Sequence, residues 1–118
     1  MAESRDDFSN EIGNCMLRLG EMILSCGGEV SRVEDTVYRI GMAYGFRSVD
    51  CLTIMNCIII SYTDGSGNTF TQMRRVLEIK KDMEKIRACN SLSREVCREK
   101  LSPEDFNRRL RDIEELRG

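Results

Sequence analysis

The apolar residues of this chain change their period twice, and few architectures accommodate both changes. From residue 8 to residue 27 they recur at helical spacing, with Phe8, Ile12, Cys15, Leu19, Met22, Ile23 and Cys26 on one stripe. Gly27 and Gly28 then read as a helix C-cap. A second helix is predicted from about Val30 to Tyr44, with Val33, Val37, Ile40 and Tyr44 inward and Gly45 as its stop. The stretch "SVDCLTIMNCIIISYTD" abandons that spacing and is rich in branched residues, which predicts strands near 47–53 and 57–63. "DGSGN", residues 64–68, is a turn signal, and the alternating "TFTQMRRV", residues 69–76, closes a hairpin. Helical spacing returns after Lys81, where Met83, Ile86, Cys89, Ser93, Val96 and Cys97 lie along one side of a helix ending near Lys100. In "LSPEDF", Ser102 is placed as N-cap and Pro103 at the first helical position, with Phe106, Leu110, Ile113 and Leu116 as the buried stripe that follows. The expected fold is α+β: two N-terminal helices, a three-stranded antiparallel meander and two C-terminal helices, in a single domain over residues 1–118.

The first helix carries a second feature. Gly13, Gly20 and Gly27 repeat every seven residues, with Leu17 and Leu24 beside them, forming a smooth apolar face turned away from the first stripe. A glycine inside a helix costs about 1 kcal/mol against alanine. Close approach of another helix, in this chain or in a partner, compensates that cost. Gly13, Leu17, Gly20 and Leu24 are therefore candidate interface residues, and a homo-oligomer is the expected use of such a face.

Composition excludes several functions. The net charge of -2 offers no electrostatic footprint for nucleic acid. The longest apolar run, Cys57 to Ile60, is too short to span a bilayer, and the acidic start "MAESRDDFSNE" does not read as a secretory signal. There is no histidine, which removes Ser-His and Cys-His nucleophiles and the commonest metal ligand. The six cysteines are scattered without a CxxC pair and fall mostly at apolar positions, so they read as reduced core residues rather than as disulfides or a zinc site. No metal and no cofactor is expected.

Three short stretches hold the candidate site residues. In "GGEVSRVEDT", Ser31 and Glu34 match a capping box, and Asp35 stands four residues before Arg39 as a surface ion pair. Read for function instead, Arg32, Glu34, Asp35 and Thr36 bind a ligand or gate, with Glu34 and Asp35 the candidates for acid–base work and Glu34 the better placed. Arg74 and Arg75 either guard an exposed hairpin edge or hold an anionic group such as a carboxylate. Asn90 and Ser93, one turn apart, either bond inside the domain or line a small polar pocket.

"LRLGEMILSCGGEVSRVEDTVYRIGMAYGF", the hairpin "SYTDGSGNTFTQMRRV", and "LSREVC" with "LSPEDFNRRLRDIE" resemble the amino-terminal soluble domain of the threonine/serine exporter family, from about residue 12 onward. The resemblance implies export of small amino acids or dicarboxylates at the cytoplasmic face of the cell membrane. It also implies a transmembrane domain or small membrane subunit of the same family as partner. Members usually continue into a bundle of transmembrane helices; here "IEELRG" stands where that bundle is expected to begin, which implies an excised domain or a split protein. A role in assembling, gating or sensing for transport follows, with two alternatives: a small amide or peptide hydrolase using Glu34, and a plain homo-oligomerisation module.

Overall fold

The computed structural model describes residues 2–116, with side chains from residue 7 onward. Its elements run α1 (Ala2–Ser25), α2 (Val30–Ala43), β1 (Ser48–Ile54), β2 (Cys57–Thr63), β3 (Thr69–Arg75), α3 (Met83–Glu99) and α4 (Pro103–Glu114). The strands form one antiparallel sheet in the order β1-β2-β3. This is the α+β arrangement that the changes of period predict.

The first helix is the central element. It touches α2, α3, α4, β2 and β3, and both of its apolar faces are used. Cys15, Leu19 and Met22 are buried on one side, where the Cys89 thiol of α3 meets the Met22 sulfur at 4.0 Å. The glycine face is covered inside the chain. A side chain at Gly13 would collide with the ring of Tyr62 on β2, while a Cβ at Gly20 would stand 3.3 Å from Val33 and 3.5 Å from Val37 of α2. Leu17 and Leu24 are buried as well. The face that the sequence offers to a partner is thus occupied by α2 and the sheet, because α1 lies between two layers and not at the surface.

α1 ends in a Schellman motif: the Gly28 amide donates to the Ile23 carbonyl at 2.8 Å, and that of Gly27 to Leu24 at 3.0 Å. Gly27 takes the left-handed φ of 92° that this motif needs. Phe8 departs from the expected core stripe. It is 40% exposed and lies edge-on to Tyr44 with ring centroids 6.1 Å apart.

The inner face of the sheet is built on Tyr62. Its ring stacks between Phe46 and Phe70 at centroid distances of 5.0 and 5.2 Å. Its hydroxyl donates to the Ser9 carbonyl at 2.8 Å and accepts from Gln72 at 3.1 Å. The turn before β3 is locked by Asp64, buried at 3% exposure. One carboxylate oxygen accepts the amides of Ser66 and Asn68 and the other accepts the Ser9 hydroxyl. Burial raises the Asp64 pKa, but these donors outweigh it and hold the group below the usual carboxylate range.

The two C-terminal helices begin as their caps dictate. Asp82 accepts from the Lys85 amide, and Ser102 from that of Asp105. Two expectations for α3 change. Met83 is half exposed, whereas Leu92, absent from the predicted stripe, is buried with Cys89 and Val96. The axis of the buried stripe is rotated slightly from the predicted one, and that rotation turns Ser93 toward α2.

Candidate functional site

The buried stripes of α2 and α3 decide what their facing flanks present. On α2, Val33, Val37 and Ile40 are buried. This leaves Arg32, Asp35, Thr36 and Arg39, spaced three and four residues apart, along one flank. On α3, burial of Cys89, Leu92 and Val96 leaves Asn90, Ser93 and Arg94 along the flank that faces α2. The two rows, with Glu29 and Ser31 ahead of them at the start of α2, line a polar groove of about 460 Å³. Of the residues singled out from the sequence, Arg32, Asp35, Thr36, Asn90 and Ser93 meet here.

The groove carries both signs of charge. Arg32, Arg39 and Arg94 set against Glu29 and Asp35 give three positive charges less two negative, a net of +1. Arg39 is engaged with Asp35 at 3.0 Å, with both side chains more than half exposed, so the pair stabilises by only a few tenths of a kcal/mol. Among the described residues, neither Arg32 nor Arg94 forms an ion pair. Thr36 lies deeper, at 7% exposure. The groove begins at the first turn of α2, whose dipole adds positive potential at that end. Chemically, two uncommitted guanidiniums can take a carboxylate, Asp35 and Glu29 can accept from an ammonium, and Thr36, Asn90 and Ser93 can pair with a hydroxyl.

Glu34 lies elsewhere, and the capping box does not form. Glu29 is the N-cap of α2 and makes no side-chain cap bond, which places Ser31 inside the first turn. The Glu34 carboxylate instead accepts the Thr53 amide of β1 at 3.1 Å. β1 is an edge strand, so its outward amides need partners, and α2 supplies one. The neighbouring Cys51 thiol is pushed up to about 12 by burial and by the Glu34 charge, which keeps it protonated and poorly nucleophilic near neutrality. Glu34 and Asp35 therefore face different surroundings and form no acid–base pair.

Arg74 and Arg75 do not converge either. Register places Arg74 in the row with Thr53 and Ile58, and Arg75 in the row with Ile54 and Cys57 on the opposite face. Arg74 is engaged by Glu21 of α1. Among the described residues, no cluster of three or more cysteine, aspartate or glutamate side chains is placed to hold a metal ion.

In the sequence Arg39 reads only as one half of a surface pair, and Arg94 is not among the candidates. The spacing from Asn90 to Arg94, one helical turn, carried the signal once the two flanks were known to face each other.

A family comparison covers most of the chain. The family model described as "Putative threonine/serine exporter" covers residues 14–118. No curated protein and no solved structure gives a match. Among the described residues, no helix is long and apolar enough to cross a membrane. The family match extends from the middle of α1 through all the elements that build the groove, and the chain belongs to the threonine/serine exporter family.

Proposed function

We propose that this chain is an extra-membrane domain of a threonine/serine exporter, placed at the cytoplasmic face, and that its α2–α3 groove senses a small zwitterionic amino acid and gates or assembles the membrane-spanning part. The observation that carries the reading is the meeting of Arg32, Asp35, Thr36, Asn90 and Ser93 from two separate helices in one groove. That set matches each group of threonine or serine: guanidinium for the carboxylate, carboxylate for the ammonium, hydroxyl and amide for the side-chain hydroxyl. The family match supports transport as the setting. Six free cysteines suit a reducing compartment. The partner is a transmembrane domain or small membrane subunit of the same family.

The test is efflux of labelled threonine from cells carrying the intact exporter. Arg32→Ala and Asn90→Ala should slow export several-fold at unchanged protein level. Efflux equal to wild type in both variants would remove the groove from the account.

A further inference from the structure

The outer face of the sheet has no helix over it. α1 and α2 both pack on the side that carries Tyr62, Ile58 and Ile60, all fully buried. Register sets the opposite face in rows. Ser48, Thr63 and Thr69 form one row, followed by Asp50, Ser61 and Thr71. The next rows are Leu52, Ile59, Met73 and then Ile54, Cys57, Arg75. The face is thus polar toward the β2–β3 turn and apolar toward the β1–β2 turn.

That apolar half continues off the end of the sheet. Met55, in the β1–β2 turn, is 91% exposed. The Val76 amide donates to the Asn56 carbonyl at 2.6 Å, which pins the link after β3 beside that turn. In the link, Leu77 is 85% and Ile79 53% exposed. Leu52, Ile54 and Met73 are also more than half exposed. Water-facing side chains of this kind, gathered at one end of a molecule, normally mark a contact surface.

Charge identifies the occupant. Arg74 is taken up by Glu21 of α1, and residues 75–81, "RVLEIKK", hold Arg75, Lys80 and Lys81 against Glu78, three minus one, or +2. The whole chain is at -2, so the remainder stands at -2 - 2 = -4. The basic excess therefore flanks the apolar tip while the rest of the molecule is acidic. An exposed apolar end with lysine and arginine in the adjoining link is the chemistry that an anionic bilayer surface recognises.

A second copy fits less well. Three strands of seven residues present a face of about 14 by 23 Å, roughly 330 Å². A stable dimer buries about 800 Å² on each partner. A two-fold contact here would also bring two basic links together.

We propose that this end of the molecule is a peripheral membrane-binding surface. Met55, Leu77 and the Leu52–Met73 row enter the interfacial region of an anionic leaflet, and Arg75, Lys80 and Lys81 engage lipid phosphates. The proposal goes beyond the exporter reading and stands without it, because the surface would hold the isolated chain on lipid whatever the groove binds.

Co-sedimentation of the 118-residue chain with vesicles tests it. The chain should bind vesicles of mixed phosphatidylglycerol and phosphatidylcholine, fail to bind pure phosphatidylcholine, and be released by added salt. The double variant Met55→Asp/Leu77→Glu should bind at least about tenfold more weakly, and Lys80→Glu/Lys81→Glu about tenfold or more. Thr71→Ala, on the polar half of the same face, should bind as wild type. Circular dichroism should show every variant folded, since all these positions are exposed. Absence of binding to the anionic vesicles, or binding indifferent to the Met55/Leu77 change, overturns the proposal. So does a dimer, seen by sedimentation equilibrium, that the Met55/Leu77 change dissociates; the occupant would then be a second copy.

Discussion

The carboxylate of Glu34 accepts the backbone amide of Thr53 at 3.1 Å and so joins α2 to the exposed edge of β1. The bond satisfies an amide that the neighbouring strand cannot reach. It also fixes the N-terminal half of α2, and with it the wall of the polar groove that holds Arg32, Asp35 and Thr36.

Glutamine keeps an acceptor at this position, so Glu34→Gln should change stability by less than about 0.5 kcal/mol. Glu34→Ala strips the Thr53 amide of its partner and should cost about 1–2 kcal/mol. Urea denaturation of both variants checks the difference. Equal, negligible losses would show that water serves the amide as well as Glu34 does.

Close packing at the glycine face makes a second prediction. Gly20 lies against Val33 and Val37 within the same chain, so Gly20→Leu should destabilise by roughly 1–3 kcal/mol with no change in assembly. Gly13 is less tolerant still. A methyl group there meets the phenol ring of Tyr62, which is held between Phe46 and Phe70 and has no room to retreat. Thermal unfolding together with sedimentation velocity separates the outcomes. A shift from dimer to monomer at full stability would place the glycine face between chains, against the packing described above.

The thiols make a pH prediction. Burial raises Cys15 from 9.0 to about 11 and Cys89 to about 12, while burial and the Glu34 charge take Cys51 to about 12. In the unfolded chain these groups ionise near 9.0, whereas the folded chain still holds their protons. Their contribution is fully present below about 9 and is lost as pH rises toward the folded values. Stability, and Tm with it, should therefore fall steadily from about pH 9 to about pH 11, by about 1.4 kcal/mol per pH unit for each thiol and on the order of 4 kcal/mol per pH unit for the three together. Cys89→Ala should flatten the fall. A flat profile in the wild type would show that these thiols are hydrated.

The order of elements was legible because each change of period survives packing: Val33, Val37 and Ile40 can only be one helix face, and "DGSGN" can hardly be anything but a turn. The Ser102 cap was equally local. The capping box at Ser31 failed because it competed with a tertiary bond, that of Glu34 to Thr53, nineteen positions away. The role of Asp64 was hidden for the same reason, since its Ser9 partner lies fifty-five positions distant. Half of the candidate site could be named residue by residue, yet its assembly could not. Arg32 and Asn90 share a groove only because the buried stripes of α2 and α3 turn their flanks together, and that angle is set by α1 beneath them. What covers the glycine face was open in the sequence, because a helix with two apolar faces does not say whether this chain or a partner packs on the second; α2 lies against Gly20 and Tyr62 against Gly13.

Isothermal titration of threonine and serine into the isolated chain tests the central claim most directly. Saturable binding of either amino acid is the expected result. Affinity should drop at least about tenfold in Arg32→Ala and in Asp35→Asn, since each removes a charged partner. Thermal stability should stay unchanged in both, because both side chains are exposed. Binding should also be unaffected by Arg75→Ala on the far face of the sheet. Binding that survives Arg32→Ala and Asp35→Asn intact, or no heat of binding from either amino acid at millimolar concentration, would contradict the claim that the α2–α3 groove is an amino-acid site.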